Sequence, residues 1–463
     1  MNVEEAHTSS PGTEKTERLK RIGKINRNFF LHIHASKVHP HVLKPGYTLG
    51  LGLILVFLFI IMILTGVVLM IYYTPSVEHA YDSVKDIIYV VPGGRIVRNI
   101  HRFSSYAMVM VSFLHLVRVF YTGSYLNGRK TNWVIGVVLF ILVLLMSFSG
   151  YLLPWDQLSY WAVTIGSNIA ASARELTDIL GITPFFDIGG FFKTLLIGGE
   201  PVGQPALTRF FMLHVVFLPL TLIILTGVHF WRIRKDGGIS RPGETASPGE
   251  KTPKWLAWPV VMWAELAVLL SVTTLLVLLG IFVDAPLLEH ANPAHPENPA
   301  KSPWYFLGIQ ELVSYSAFSG GIVVPVLFLV FLFSIPYQDR EDQYVGHWFS
   351  GRRGRSVTGW SALLSALWVI ALVFIRVRFG WLRDAWSGTP QWVIMLINPA
   401  TLAALAFVLF SIIIHRRTGS TRMAAISLFT MAVVALVIFT VIGIWFRGPN
   451  WDFYWSASQW PAI

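Results

Sequence analysis

The sequence predicts an all-α integral membrane protein of about nine transmembrane helices, and three observations carry that expectation. Hydrophobic residues make up 54% of the 463 positions and charged residues only 13%, against about 25% charged in ordinary soluble domains. Mean hydropathy is +0.58, which leaves too little polar surface to clothe several water-soluble cores. Apolar runs long enough to cross about 30 Å of hydrocarbon recur near 47–73, 100–121, 133–153, 208–232, 257–283, 320–336, 360–377, 391–414 and 423–446.

The elements follow in order. Residues 1–46 are polar and basic with no apolar stretch before Tyr47, so they read as a cytoplasmic N-terminal segment rather than a signal peptide. The first four spans, within 47–234, form one unit. Between its third and fourth spans, residues 154–207 are rich in Gly, Ser and Pro but carry Phe185, Phe186, Phe191 and Phe192, the pattern of amphipathic helices at a membrane surface. The stretch 235–256 is rich in Gly, Pro, Ser and Thr and reads as a cytoplasmic linker. A second unit fills 257–384, including a long connection at 284–319 with the apolar run Trp304 to Leu312. Residues 385–463 add two more spans and a tail. Long connections on one face usually build a site or a docking surface.

Charge supplies orientation. Of the 36 Lys and Arg, 24 fall on the side of the N-terminal segment and 12 on the other, and cytoplasmic loops carry such an excess. The expected setting is a bacterial cytoplasmic (inner) membrane, with the N-terminus inside. The net charge of +11 is spread over separate loops, which argues against nucleic acid as a partner. There is no cysteine, which removes disulfides, iron–sulfur clusters held by this chain and thioether-attached haem.

Four of the 14 histidines, His101, His115, His214 and His229, fall inside apolar spans. Fourteen residues carry a helix about 40° short of four turns and fifteen about 60° past them, so each pair shares one helix face, about 21–22 Å apart along the axis. Two such helices facing each other supply one histidine each at two depths, which is bis-histidine ligation of two stacked, non-covalent b-type haems. A single intramembrane histidine is more simply a polar residue satisfied by a neighbouring carbonyl. Four at matched depths point to function, because polar groups in hydrocarbon are costly. Gly52 and Gly66 in the first span and Gly136 and Gly150 in the third repeat the spacing of fourteen, leaving side-chain-free spots where a flat macrocycle could approach the backbone. Arg98 lies three residues before His101 and Arg118 three after His115, where haem propionates need a cation. The alternative reading of both is interfacial snorkelling. The first unit is thus expected to be a di-haem four-helix bundle, with the C-terminal helices beside it.

These residues resemble the cytochrome b/b6 family of quinol–cytochrome c oxidoreductases. The matching stretches are Arg98-Asn-Ile-His101-Arg, His115-Leu-Val-Arg118, Gly150-Tyr-Leu-Leu-Pro154-Trp155-Asp156-Gln157, Thr208-Arg209-Phe210, Phe217-Leu-Pro219-Leu, His229-Phe-Trp-Arg-Ile-Arg-Lys235 and Ile239-Ser-Arg-Pro242. They cover about residues 26–245, and 255–380 is collinear with a subunit-IV-like half. The resemblance implies a Q-cycle: quinol, either menaquinol or ubiquinol, is oxidised near the outer face, and electrons cross through two b haems to a quinone at the inner face. It assigns His101 and His214 to the outer haem iron and His115 and His229 to the inner one. It implies as partners a Rieske iron–sulfur protein, a c-type cytochrome with one or several haems, the lipid bilayer and a second copy of the complex.

Departures from the family pattern sharpen these expectations. The outer-site motif Pro-Glu-Trp-Tyr reads Ser302-Pro303-Trp304-Tyr305 here. Trp304 and Tyr305 are then expected at the quinol site, with Glu311 as the substitute proton acceptor. Thr48 stands where b6f relatives attach a third haem through Cys. At the inner face Glu265, Arg234 and Lys235 are expected to protonate and orient quinone. The cluster His32, His34, His39 and His41 lacks regular ligand spacing and is read as basic surface. Two rivals remain on sequence grounds: a di-haem membrane anchor of a dehydrogenase or reductase with one quinone site, and a haem-free proton-coupled transporter whose histidines relay protons.

Overall fold

The computed structural model of the chain describes residues 37–243, 255–256, 260–381, 386 and 388–461. Nine helices among them are long and apolar enough to cross a membrane: α1 Leu51–Tyr72, α2 Gly94–Tyr121, α3 Lys130–Tyr151, α4 Gln204–Lys235, α5 Val260–Phe282, α7 Ser319–Gln338, α8 Gly351–Phe379, α9 Pro399–Thr418 and α10 Thr421–Phe446. Helix α6, Trp304–Tyr315, is too short to span. Shorter helices Gln157–Ala171, Arg174–Ile179 and Ile188–Ile197 fill the connection between α3 and α4. Strand pairing among the described residues is confined to Lys37–Val38 against Trp255–Leu256. His32, His34 and half of the linker, residues 244–254, lie outside the described residues.

The two boundaries that differ most from the sequence reading do so for local reasons. The eighth span does not begin at 391: a short helix Gln391–Leu396 ends, and α9 starts at Pro399. Asn398 caps it, its side chain accepting from the Thr401 amide at 3.1 Å, and Pro399 takes the first helical position, where its missing N–H costs nothing. Helix α8 reaches back to Gly351 through Arg352, Arg353 and Arg355, a turn too basic for a hydropathy window to include.

Helices α4 and α7 each contain a π turn, at Leu213–Phe217 and Ser319–Val323. Each is followed two residues later by a proline, Pro219 or Pro325. A proline inside a helix lacks the donor for the carbonyl four residues back and crowds it, and widening the preceding turn to the i→i+5 pattern relieves both.

Helices α1 to α4 form the first bundle, with α1 on α2, α2 on α3 and α3 on α4, and α5 packs on α1 and α2. Helices α8, α9 and α10 pack on one another, and α6 lies on α10. The halves are joined by an aromatic core in which Phe120 of α2 stacks on Phe429 of α10 with ring centres 4.0 Å apart, beside Trp133 of α3 and Leu332 of α7. A smaller core of Leu58, Met108, Val109, Val143 and Leu222 draws on each of α1 to α4, with Leu276 of α5. It sits at mid-depth in the bundle.

Candidate di-haem and quinol sites

That mid-depth core separates two histidine levels. Met108 is seven residues from both His101 and His115, and Leu222 eight from His214 and seven from His229, so each level lies about two helical turns away. At the first level, the ring centres of His101 and His214 are 6.2 Å apart and their planes are inclined at 76°. Two in-line metal–nitrogen bonds of about 2 Å put ring centres on the order of 6 Å apart, so this spacing fits one iron between the rings. At the second level His115 and His229 lie within electrostatic reach of each other.

The glycines take a more specific place than the sequence suggests. A Cβ at Gly66 would lie 3.2 Å from His101 Cε1, one at Gly52 3.6 Å from His115 Cε1, and one at Gly136 3.7 Å from His229 Cε1. At Gly150 it would meet His214 Nδ1 at 2.8 Å. All four face an imidazole, one each: the missing side chains make room for the ligand rings rather than for the macrocycle alone. The π turn explains the fifteen-residue spacing in α4. It contains His214 and takes up the one residue by which α4 exceeds the spacing of α2, which keeps both α4 histidines on the bundle face.

Hydrogen bonds fix the tautomers at the first level. His214 Nδ1 is 3.1 Å from the Met146 carbonyl, which only accepts, so Nδ1 carries the proton. Thr65 Oγ1 donates to the Ile61 carbonyl at 2.7 Å, so it accepts from His101 Nδ1 at 2.9 Å. Both rings are thereby left with an unprotonated Nε2, the condition a metal ligand must meet, and their other nitrogens are held by backbone or hydroxyl as metal-ligating histidines usually are. The donor set fits a haem iron.

The flanking cations separate. Arg118 is buried, donates from Nε to the Tyr47 carbonyl at 3.3 Å and stacks over the Tyr47 ring at 4.4 Å. Its Nη2 is buried without a partner, an orphaned donor suited to a propionate. Arg98 instead donates to the Ala285 and Pro286 carbonyls at 2.8 and 2.7 Å, so its guanidinium also holds the connection after α5. Arg102, to which the sequence reading gives no role, lies between the rings of Tyr106 and Tyr151 at 4.9 and 4.7 Å. An arginine directly after a ligand histidine inside a helix was the available signal.

Helix α6 brings Trp304 and Tyr305 to this level. The Tyr305 ring is 6.1 Å from that of Tyr106 on α2, and its hydroxyl faces Ser147 on α3. Glu311 is where the expectation fails. It is fully buried, and its two oxygens accept four hydrogen bonds: from Arg447 Nε at 2.9 Å and Nη2 at 2.5 Å, Tyr315 Oη at 2.6 Å and Trp451 Nε1 at 2.9 Å. A carboxylate has about four acceptor sites, and the protein's own donors take all four, an arrangement that suits a fastener better than a group open to a quinol proton. On the other side of the molecule, Glu265 is half-buried near the start of α5. Arg234 has a buried, unpartnered Nη1, while Lys235 rests 4.7 Å over the Trp231 ring. The three come from helices with different main neighbours, α5 on α1 and α2, α4 on α3.

Comparison with known proteins agrees with this geometry. The profile of the family described as cytochrome b/b6/petB matches residues 34–237. Cytochrome b6 of Prochlorococcus marinus is 42% identical over 210 residues, 45% of this chain and 89% of that protein. The chain belongs to the cytochrome b/b6 family. A cytochrome b6 from Heliobacterium mobile is 39% identical over 226 residues, 49% of this chain and 97% of the relative. The solved structure titled Hyperthermophilic respiratory Complex III shares the fold, with a TM-score of 0.63 and 23% identity over 93% of this chain and 97% of its own. As a cytochrome b protein this chain is a multi-pass, haem-binding membrane protein of electron transport. The cytochrome b6 relatives account for its first bundle, and the fold likeness extends over most of the second half.

Proposed function

We propose that this chain is the cytochrome b subunit of a bacterial bc-type complex. In this reading it oxidises quinol at the outer face, near Trp304 and Tyr305, and reduces quinone at the inner face, near Glu265, Arg234 and Lys235. The observation that carries the proposal is the two-level arrangement itself: two histidine pairs, each ring backed by its own glycine, with α6 docked beside one of them. His101 and His214 would hold one b haem and His115 and His229 the other. Haem bound there supplies one-electron redox chemistry at two depths.

The chain's own residues do the rest. Met146 and Thr65 fix the ligand tautomers, and the Leu58, Met108, Val143 and Leu222 layer excludes water between the levels. Arg118 offers a free donor to a carboxylate. Tyr305 and Trp304, whose rings stand edge to face 5.4 Å apart, supply aromatic surface of the kind that orients a quinol ring. A Rieske protein and a c-type cytochrome are the implied acceptors, since the chain has no cysteine to hold an iron–sulfur centre, and the assembly is read as a dimer in the cytoplasmic membrane.

The test is a reduced-minus-oxidised spectrum and a haem count on the purified complex. Two b-type haems per chain, with quinol-dependent cytochrome c reduction, are expected. Absence of b-type absorption would overturn the reading, and two haems without a co-purifying Rieske protein would favour the membrane anchor.

A further inference from the structure

The buried pair of Glu311 and Arg447 joins α6 to the chain after α10, two segments that the di-haem bundle does not use. Helix α6 has 12 residues, and isolated helices of that length are marginal in water, so its position depends on what it packs against. At its first turn Tyr305 meets α2 and α3. Along its length it lies directly on α10: a Cβ at Gly308 would meet Leu436 Cδ1 at 2.7 Å and Thr440 Oγ1 at 2.8 Å, and one at Gly443 would meet Leu307 Cβ at 3.2 Å.

The chain leaving α10 then turns back over α6. Arg447 and Phe453 are bridged, the Phe446 and Phe453 rings stack with centres 5.4 Å apart, and the Tyr454 amide donates to the Phe446 carbonyl at 2.8 Å. The end of α10 and this compact strap reach α6 and the residues before it at four points, three of them in the strap. Arg447 and Trp451 hold Glu311. Lys301 Nζ donates to the Ile444 carbonyl at 2.9 Å, and Asn298 exchanges hydrogen bonds with Asn450. Arg447 Nη1 also donates to the Trp451 carbonyl at 2.9 Å, so the arginine both closes the strap and grips the helix.

We infer that Arg447 is a positioning residue for the quinol site: through Glu311 it locks α6, and so sets where Trp304 and Tyr305 stand against α2 and α3. The inference rests on the reading of α6 as a wall of that site. It gives the segment after α10 a task, and it accounts for a carboxylate buried beside the expected site with every acceptor position filled. A bidentate arginine–carboxylate pair fixes orientation as well as distance, which a lysine in its place does not.

The test uses the whole complex and a short-chain menaquinol or ubiquinol analogue. Arg447→Met is expected to raise KM for the quinol about tenfold with both haems retained and their spectra unchanged, Arg447→Lys to restore part of the loss, and Trp451→Phe to raise KM about threefold. Should Arg447→Met fail to assemble, Trp451→Phe decides. Unchanged KM in the assembled variants, or a loss confined to haem content and kcat, overturns the inference. Tyr305→Ala is the control for the underlying reading. If it raises KM while the Arg447 and Trp451 variants do not, the strap alone is refuted; if it too leaves KM unchanged, the quinol-site reading falls with it.

Discussion

The arginines beside the histidine levels and the buried arginines of the second half are held in opposite ways, although Arg232 at the end of α4 does pair with Asp236 at 3.0 Å. In the first bundle, Arg98 is held by backbone carbonyls, Arg102 by tyrosine rings and Arg118 by a carbonyl and a ring. None of these close partners is a carboxylate, so the positive charge is oriented but not cancelled. In the second half, Arg422 pairs with Asp339 at 3.0 Å, with the two side chains 2% and 0% exposed, and Arg447 pairs with Glu311. Tyr125 joins the first pair through Asp339 at 2.7 Å. A buried cation without a counter-ion is expensive unless an anion arrives, which is what a haem bearing propionates provides. A neutralised pair has no such use and serves to fasten elements together. The first half is built to receive charged cofactors, the second to hold its shape.

Breaking the receiving half should have the largest effect. His101→Ala or His115→Ala is expected to remove one of the two b haems, read as loss of about half the b-type absorption per chain, because a bis-histidine site has no spare ligand. Gly150→Ala should approach this result, since the added methyl would sit 2.8 Å from His214 Nδ1 and 2.9 Å from Nε2. Gly52→Ala, where the nearest atom is at 3.6 Å, should keep both haems. If the two alanines behave alike, the one-to-one match of glycine and imidazole is not what the site depends on.

Breaking the fastening half comes next. Arg422→Met leaves Asp339 buried and unpaired, and the loss of one partner of a buried pair costs roughly 3–5 kcal/mol. The drop is measurable as a lower thermal inactivation temperature of the detergent-solubilised complex, with haem midpoints unmoved. The double change Arg422→Met, Asp339→Asn should recover part of the loss, because no unpaired charge remains. A double variant no better than the single would show that packing of the arginine stem, not its charge, holds α10 to the end of α7.

Much of the first half was legible because its function is periodic. Four histidines and four glycines at helical spacing identify helices, faces and depths together. What the sequence hid was the π turn at Leu213–Phe217, for which Pro219 was the visible clue, and the fact that the glycines face imidazoles. In the second half the spans were readable from hydropathy, but the fasteners were not. Glu311 and Arg447 are 136 residues apart and Asp339 and Arg422 are 83 apart. No local pattern joins such pairs, and an acidic residue near an expected quinol site is as consistent with proton transfer as with a clamp until its partners are seen.

The finest test of the contrast is Arg118→Gln. Arg118 leaves Nη2 without a protein partner and meets neutral groups of Tyr47, so its removal should do little to folding. If it stands beside the haem of His115 and His229, losing a positive charge favours the oxidised, more positive iron, and the midpoint potential must fall. A shift on the order of 60 mV corresponds to tenfold in a one-electron equilibrium, and a redox titration of the purified complex resolves it. The other haem, at the level of His101, is separated by the apolar layer at Leu58 and Met108 and should move much less. An unchanged midpoint with a lowered thermal inactivation temperature would instead place Arg118 with Arg422, whose task is to hold the fold together.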